Sequence, residues 1–398
     1  WLKLACALLD TPAWMSLSSA KIKPVVGVLV LGGTAVLLKS LLLRSKKVGR
    51  RTRVVVLGLG YCGGAIARHL SLHRNCEVVG TTRGLADPAD TAAGVRTLVV
   101  GGEVTELVGA VRSADVIIAT APPGELGDPF LADETLSAAL VASATAGALL
   151  IYLSSVGVYG DQGGALVTEE TAPAPRTARA KRRLAAEEQW RALGAQRLAI
   201  LRLPGIYGPF RGPLAKAREG NARIVKEGHL FSRIHVDDVV LICDVLSRRQ
   251  ICLEDGAGAE AMRRLWSAGS TAVVNCCDSD PAPQHEVTAV AYELLGRPVP
   301  PALPFDSAEL SAMQRSFYEE SRRMGNDLFV SLVGKLRHES YRTGLPACVA
   351  EEASAKPHSG GGLLPLRLLR MVAGRAWRGA TALLPKGRPL RVALVDNG

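Results

Sequence analysis

Apolar runs of five to seven residues recur along the chain, separated by amphipathic or alanine-rich stretches. Six runs predict buried parallel strands: RVVVL (53–57), CEVVGT (76–81), VRTLVV (95–100), DVIIAT (115–120), ALLIYLS (148–154) and RLAILRL (197–203). Helical patterns between them include AIARHLSLH, FLADETLSAALVASATA and RRLAAEEQWRALG. Regular alternation of strand and helix predicts an α/β fold, a doubly wound parallel (Rossmann) sheet with ligands at the carboxyl ends of its strands.

The pattern also predicts where this body begins and ends. We expect the sheet within residues 52–348, together with a smaller C-terminal substrate subdomain contributed mainly by 204–348. The segment 249–271 has the character of an insertion in that smaller subdomain. A basic and hydrophobic segment, 1–51, precedes the body, and a basic tail, 349–398, follows it.

The N-terminal segment contains an apolar run, VVGVLVLGGTAVLLKSLLL, at 25–43. Nineteen helical residues span about 28 Å, close to the thickness of the hydrocarbon layer of a membrane. The basic RSKKVGRRTR that follows favours an anchor whose C-terminal side faces the cytosol. Two alternatives remain open: an organelle-targeting segment that is removed, and a docked helix.

The net charge of +11 is concentrated at the two ends of the chain. Residues 1–53 hold ten Lys/Arg and one Asp, and residues 349–398 hold eight Lys/Arg and three acids. The body between them is weakly acidic, which argues against a nucleic-acid groove. Leu363–Leu384 within the tail is either a membrane-surface helix or a poorly ordered basic stretch. The eight cysteines show no C-x-x-C pair, which predicts reduced thiols in a reducing compartment.

A glycine motif, G-x-G-x-x-G, follows the first predicted strand directly at Gly58, Gly60 and Gly63. The first glycine permits a tight turn, the second lets a pyrophosphate approach the backbone, and the third lets helix and strand pack closely. The amide groups at the helix N-terminus then favour the phosphates. This placement predicts dinucleotide binding, and the alternative is a turn that binds nothing.

Arg83 predicts which dinucleotide is bound. It stands twenty-five residues beyond Gly58, where proteins that bind unphosphorylated cofactor usually carry an acid. An arginine can pair there with a 2′-phosphate, so NADP is predicted over NAD, which remains possible.

Several motifs occur in the order seen in one known family: GLGYCG (58–63), TAPP (120–123), YLSSVGVYG (152–160), LRLPGIYGPFR (201–211), FSRIHVDDVV (231–240) and NCCDSDPAPQHEVTAVAYELLGRPVPP (275–301). The chain resembles the extended short-chain dehydrogenase/reductases, or NAD-dependent epimerase/dehydratase group, over about 52–348. It is most similar to an atypical branch with GLGY loops whose substrates are unassigned.

The loop and the resemblance together imply a set of cofactor-binding residues. These are Gly58, Gly60, Tyr61, Cys62, Gly63, Arg83, Ala121, Pro122, Lys181 and Pro204.

The resemblance also implies a catalytic Ser, Tyr and Lys. Ser155 and Lys181 occupy the serine and lysine positions, but Thr177 stands where the tyrosine is expected. A threonine hydroxyl cannot exchange a proton near pH 7 as a perturbed phenol can. Tyr159 or Tyr207 is then the candidate substitute, although the expected role of Tyr159 in its VYG turn is packing.

Two further positions bear on the ligand. Family members that act on nucleotide sugars often have an arginine four residues before the histidine of IHVDD, and here that residue is Phe231, with Arg233 two residues nearer. A nucleotide-sugar substrate is therefore disfavoured. We interpret His235, Asp237 and Asp238 as a hydrogen-bonded strand-to-helix corner, and predict no metal site.

The leading hypothesis is an NADP-dependent oxidoreductase- or epimerase-like enzyme that acts on a small carbonyl or alcohol. Ser155 orients the substrate, and Lys181 holds the cofactor ribose. The competing hypothesis is a cofactor-binding module without turnover, such as a membrane-tethered redox sensor or assembly factor, since Thr177 replaces the tyrosine.

Overall fold

The six predicted strands join a seventh in one parallel sheet. The computed structural model describes residues 51–74, 76–101, 104–248, 257–267, 269–310 and 312–354. The strands of this sheet are β1 (Arg53–Leu57), β2 (Glu77–Thr82), β3 (Arg96–Val99), β4 (Val116–Ala119), β5 (Leu149–Ser155), β7 (Arg197–Leu203) and β11 (Thr271–Asn275). They lie in the order β11-β7-β5-β4-β1-β2-β3, which reverses direction between β1 and β4. The predicted doubly wound fold is confirmed.

Twelve helices occur in the described part of the chain. They are α1 (Tyr61–Arg74), α2 (Pro88–Ala92), α3 (Val104–Ser113), α4 (Glu134–Thr145), α5 (Ala178–Arg191), α6 (Pro213–Arg218), α7 (Val236–Ser247), α8 (Ala257–Ser267), α9 (Gln284–Leu294), α10 (Ala312–Glu319), α11 (Asp327–Val333) and α12 (Tyr341–Ser354). Short 3₁₀ turns lie at Val156–Tyr159 and Phe305–Ser307. None of the helices in these ranges is long and apolar enough to cross a bilayer, and the predicted anchor at 25–43 lies outside the described residues.

Both faces of the sheet are covered because its strands are apolar on both sides. On one face α1, α7, α8 and α11 pack against residues such as Val54, Val56 and Ile118. On the other face α3, α4 and α5 cover Val55, Ile117 and other alternate residues of the same strands. Trp190 of α5 is fully buried in this second layer. Parallel sheets require such two-sided cover, which explains the continuous apolar runs of the sequence.

Three two-stranded parallel sheets supplement the large one. They pair β6 (Leu166–Val167) with β13 (Arg323–Met324), β8 (Gly205–Tyr207) with β10 (Arg233–His235), and β9 (Arg223–Val225) with β12 (Ala302–Pro304). A separate apolar cluster joins α6, α9 and α12 around Tyr207 and Tyr341. Most of these elements fall within 204–348, the range predicted for the substrate subdomain, whose boundaries stay a prediction.

Two boundary details differ from the sequence analysis. Helix α8 lies within the predicted insertion 249–271, and its Met262 and Leu265 are buried in the core of the large sheet. Helix α8 therefore belongs to the crossover that leads into β11. For this helix, the interpretation as an insertion in the smaller subdomain was wrong. Helix α12 continues to Ser354, so the predicted division between 348 and 349 falls inside a helix. The chain separates into two units, Trp1–Thr52 and Arg53–Gly398, and all named helices and strands belong to the second.

Candidate functional site

The glycine loop connects β1 to α1 at the point where the strand order reverses. Gly58 has φ +107°, a backbone conformation that L side chains rarely adopt. A Cβ on Gly63 would lie 2.0 Å from the carbonyl oxygen of Gly58, so the third glycine is required for close packing of the loop on the helix. A Cβ on Gly60 would meet no atom within 4 Å.

Open space at Gly60 is what a bound pyrophosphate requires, because its oxygens must approach the backbone more closely than a side chain permits. The exposed Gly60 lies directly before the first residue of α1, whose N-terminal N–H groups carry a partial positive charge. Gly60, with open space beside it, therefore lies between the closely packed Gly58 and Gly63, and this arrangement fits a bound dinucleotide.

Two threonines hold the loop, and the sequence analysis named neither. The hydroxyl of Thr81, near the end of β2, accepts a hydrogen bond from the N–H of Gly58 at 2.8 Å. The hydroxyl of Thr120, after β4, donates to the carbonyl of Gly58 at 2.5 Å. The sequence signal for them was their position, since Thr81 ends the predicted strand CEVVGT and Thr120 begins the TAPP motif.

Four other predicted cofactor residues follow the carboxyl ends of strands in the same sheet. Ala121 is half-buried, and its N–H nitrogen would lie 3.2 Å from a Cβ on Gly58. Pro122 and Arg83 are exposed at the ends of β4 and β2. Pro204 is half-buried between β7 and β8.

Tyr61 and Cys62 form the first turn of α1 and face different partners. The Tyr61 hydroxyl donates to the carbonyl of Pro209 at 3.0 Å, and the Arg211 guanidinium lies 5.1 Å from the centre of the Tyr61 ring. Burial raises the pKa of Cys62 to about 11, despite the opposing charge of Arg211. Cys62 is therefore a protonated thiol at neutral pH.

Ser155 ends β5 and begins the 3₁₀ turn Val156–Tyr159. Its hydroxyl accepts the N–H of Gly157 at 3.2 Å, which leaves the hydroxyl proton to donate to a ligand oxygen. Ala180 of α5 packs near the same turn, at 3.8 Å from the position of a Cβ on Gly157. The structure thus brings the end of β5 and the start of α5 together.

Thr177 caps the N-terminus of α5. Its hydroxyl accepts the N–H of Ala180 at 3.2 Å, a role for which threonine is a preferred residue. Lys181 lies one turn later and is exposed. Thr177, at the position of the family tyrosine, therefore stabilises the N-terminus of α5, and this position has no phenol.

Neither candidate substitute tyrosine presents its hydroxyl to solvent. Tyr159 is fully buried and donates to Oδ1 of Asn275 at 2.8 Å, and burial raises the pKa of its phenol. Tyr207 donates to the carbonyl of Ser340 at 3.3 Å, and burial raises its pKa as well. The catalytic role of Tyr159 stays a prediction, and its surroundings match the packing role expected of its VYG turn.

A buried ionic network lies beside the Ser155 turn. Glu187 accepts two hydrogen bonds from Arg202, at 3.1 and 2.7 Å, and one from the Ser154 hydroxyl at 2.5 Å. The Arg202 guanidinium also lies 4.6 Å from the centre of the Tyr159 ring. This network contacts Ser154, which lies just before the turn, and Tyr159, which is the last residue of the turn.

His235 forms the expected strand-to-helix corner between β10 and α7. Its Nδ1 accepts the N–H of Asp237 at 3.1 Å, and its Nε2 lies 3.2 Å from Sγ of Cys348. Burial lowers the pKa of His235 to about 4, so the ring is neutral at pH 7. Asp238 accepts two backbone N–H bonds from residues 337–338.

A histidine from a distant loop joins this corner. His338 Nε2 lies 3.5 Å from Oδ2 of Asp237, and ligand atoms of His235, Asp237 and His338 all fall within 4.8 Å of one another. Both ring nitrogens of His235 already have partners, so a metal ion would have to displace one of them. The absence of a metal stays a prediction.

Phe231 and Arg233 are the two positions that the resemblance compared with a diphosphate-binding arginine. Phe231 packs against the rings of His229 and Tyr318. Arg233 is 4% exposed and donates to the carbonyls of Phe231 and Ala282. Its guanidinium is therefore part of the interior, held by backbone carbonyl groups.

The family model for the NAD dependent epimerase/dehydratase family matches residues 54–256. A functionally unknown conserved protein from Silicibacter pomeroyi DSS is 36% identical in sequence, with a TM-score of 0.63, over 75% of this chain and 98% of that one. No curated protein matches the chain.

Structures with lower identity share the fold. A dTDP-glucose 4,6-dehydratase from Bacillus anthracis in complex with NAD is 15% identical, with a TM-score of 0.56, over 76% of this chain and 98% of that one. A UDP-glucuronic acid 4-epimerase from Bacillus cereus, in complex with a UDP-sugar and NAD, is 16% identical, with a TM-score of 0.54, over 76% and 100%. These two structures show the fold alone, whereas the family model and the 36% identical relative show that the chain belongs to the NAD-dependent epimerase/dehydratase family.

Proposed function

We propose that this protein is an NADP-dependent oxidoreductase of the epimerase/dehydratase family, acting on a small carbonyl or alcohol. The observation that carries the proposal is the unobstructed Gly60 between the closely packed Gly58 and Gly63 at the start of α1. The cofactor pyrophosphate would lie on this loop, with Ala121, Pro122, Lys181 and Pro204 around the rest of the molecule. When bound, the dinucleotide supplies or accepts the hydride.

Ser155 would bind the reacting oxygen of the substrate. Its hydroxyl lies at the carboxyl end of β5, next but one to β1 in the sheet, and it keeps a proton to donate. Since Thr177 caps α5 and the phenols of Tyr159 and Tyr207 are buried, the proton for a reduced carbonyl oxygen would come from solvent.

A nucleotide sugar is not the substrate that the site favours. The dehydratase and epimerase with the same fold act on nucleotide sugars, as their names state. In this chain Phe231 belongs to an aromatic cluster and Arg233 is bonded to backbone carbonyls, so neither supports a diphosphate.

Preference for NADP depends on Arg83. We expect Arg83→Ala to weaken NADPH binding by about tenfold or more while leaving NADH binding unchanged, because a guanidinium–phosphate pair is a charge-assisted hydrogen bond. Fluorescence titration with both nucleotides measures the ratio. Arg96→Ala is the control, since Arg96 is an exposed arginine of β3 that pairs with Glu106. An unchanged ratio of NADPH affinity to NADH affinity in Arg83→Ala would contradict the assignment of NADP as the preferred cofactor.

A turnover assay distinguishes an enzyme from a cofactor-binding module. The capping role of Thr177 favours the module. The full-length protein is mixed with NADPH and a panel of aldehydes and ketones, and loss of the reduced nicotinamide is followed by absorbance. We expect Ser155→Ala to lower kcat by about 10² to 10³ without weakening NADPH binding, as loss of an oriented donor does elsewhere. Ser331→Ala, at an exposed hydroxyl that bonds its own helix, is the control. NADPH binding without oxidation by any panel member would favour the module.

A further inference from the structure

A buried acid lies just beyond the end of β11. Asp278 is 3% exposed, and neither of its side-chain oxygens has a hydrogen-bond partner among the described residues. Its backbone N–H donates to the carbonyl of Arg233 at 2.7 Å, which joins the segment after β11 to β10. Buried carboxylates normally have hydrogen-bond partners, because an ion that leaves water without them loses its solvation. The environment of Asp278 therefore disfavours its ionised form.

Arg233 is the cation beside this acid, but its hydrogen bonds go to neutral groups. Its guanidinium donates to the carbonyl of Phe231 at 2.7 Å and to the carbonyl of Ala282 at 3.0 Å. A third bond reaches Oε1 of Gln284 at 2.9 Å. The two neighbouring side chains, Arg233 and Asp278, are therefore not hydrogen-bonded to each other.

The bonds of Arg233 stabilise a contact between two segments of the chain. Phe231 and Ala282 exchange backbone hydrogen bonds at 3.1 and 3.2 Å, so they connect the segment before β10 to the segment before α9. We call this pair the 231–282 bridge. Arg233 donates to both carbonyl groups of the bridge. Displacement of the guanidinium would remove a charge-assisted donor from each of them.

The groups that face Asp278 from the surrounding elements do not provide a second cation. Burial raises the pKa of Asp278 from the usual 3.8 to about 8, and the charge of Arg233 opposes this shift only in part. Tyr207 of β8 and the adjacent Cys277 stay neutral, because burial raises the pKa of each. The remaining neighbours are Asp280 of the same loop, Asp238 of α7, and Tyr341 of α12, whose ring centre lies 6.0 Å from the Arg233 guanidinium.

We propose that Asp278 is a pH-sensitive switch that controls the position of Arg233. As a neutral acid, Asp278 leaves the guanidinium on the two carbonyl groups of the 231–282 bridge. As a carboxylate, it attracts the guanidinium, which stays charged at any pH that the fold tolerates, and the bridge loosens. The proton that Asp278 loses passes to solvent. The switch does not depend on the cofactor assignment.

The first test compares the stability of the wild type and Asp278→Asn across pH by urea unfolding. The unfolded chain releases this proton near the usual pKa and the folded chain near pH 8, so the native state binds one more proton between these values and loses stability as pH rises. We expect the folding equilibrium constant of the wild type to fall about tenfold per pH unit more steeply than that of Asp278→Asn between about pH 5 and pH 8. Asparagine resembles the neutral acid, so the variant should fold.

Asp280→Asn is the matched control. Asp280 lies two residues later in the same loop, its side chain is 37% exposed, and it pairs with Arg342 at 3.4 Å. This variant should keep the steep fall of the wild type. Parallel profiles for the wild type and Asp278→Asn, or an equal flattening in Asp280→Asn, would overturn the proposal.

The second test follows the 231–282 bridge itself. Hydrogen exchange of the amides of Phe231 and Ala282 is measured at about pH 6 and about pH 9 and expressed as protection factors, which remove the intrinsic effect of pH. We expect protection to fall about tenfold or more at the higher pH in the wild type and to persist in Asp278→Asn. Equal protection factors at the two pH values in the wild type, or an equal loss in Asp278→Asn, would show that Asp278 does not control the bridge.

Discussion

Glu187→Gln is expected to lower the free energy of unfolding by about 3 to 5 kcal/mol, the usual effect of removing one partner from a buried ion pair. Glu187 is fully buried and Arg202 is 2% exposed, so the remaining guanidinium would keep its charge without a counterion. The Ser154 hydroxyl would also lose its charged acceptor. Urea unfolding followed by circular dichroism measures the change.

Glu188→Gln provides a matched control for this variant. Glu188 is the next residue of α5, its side chain is 64% exposed, and it pairs with Arg191 on the helix surface. Exposed pairs of this kind contribute about 0 to 1 kcal/mol. Equal losses in Glu187→Gln and Glu188→Gln would mean that the buried network does not stabilise the Ser155 turn.

Gly63→Ala is expected to destabilise the protein by about 3 kcal/mol or more and to abolish dinucleotide binding. The new Cβ would lie 2.0 Å from the Gly58 carbonyl oxygen and 2.8 Å from the Thr120 hydroxyl, so backbone must move. Insertion of a methyl group into a well-packed region usually costs about 1 to 3 kcal/mol. Here the nearest atom is a backbone oxygen of the glycine loop, so the cost is expected at the upper end or above. Urea unfolding and NADPH titration together measure both effects.

Gly109→Ala is the control for the glycine variants. Gly109 lies inside α3, and a Cβ there would meet no atom within 4 Å. Alanine is favoured over glycine in a helix by about 0.5 to 1 kcal/mol, so this variant should be as stable as the wild type or more stable. If Gly63→Ala is equally stable, the account of the loop packing is wrong.

Six of the seven strands of the large sheet were predictable because each is an apolar run of ordinary length between helical patterns. β11 was not among the predicted strands, although the motif quoted from Asn275 begins at its last residue. Its signal is weak because TAVVN is short and follows a segment that resembled an insertion. Helix α8 was missed for the same reason.

The positions of the candidate site were predictable, but their contacts were not. The sequence showed that Thr177 replaces a tyrosine, and the structure adds that its hydroxyl caps α5. Likewise, the hydrogen bonds of Tyr61 to Pro209 and of Tyr159 to Asn275 join residues far apart in sequence. Local patterns specify which elements form, whereas contacts between distant residues arise only when those elements pack.

Calorimetric titration of NADPH and NADH into the wild type, Gly60→Ala and Gly109→Ala tests the central claim most directly. A Cβ on Gly60 meets no protein atom, so Gly60→Ala should fold normally and obstruct only a ligand. The account predicts binding by the wild type and Gly109→Ala, and binding weaker by about tenfold or more in Gly60→Ala. No heat with either nucleotide on folded wild-type protein, or unchanged affinity in Gly60→Ala, would contradict it.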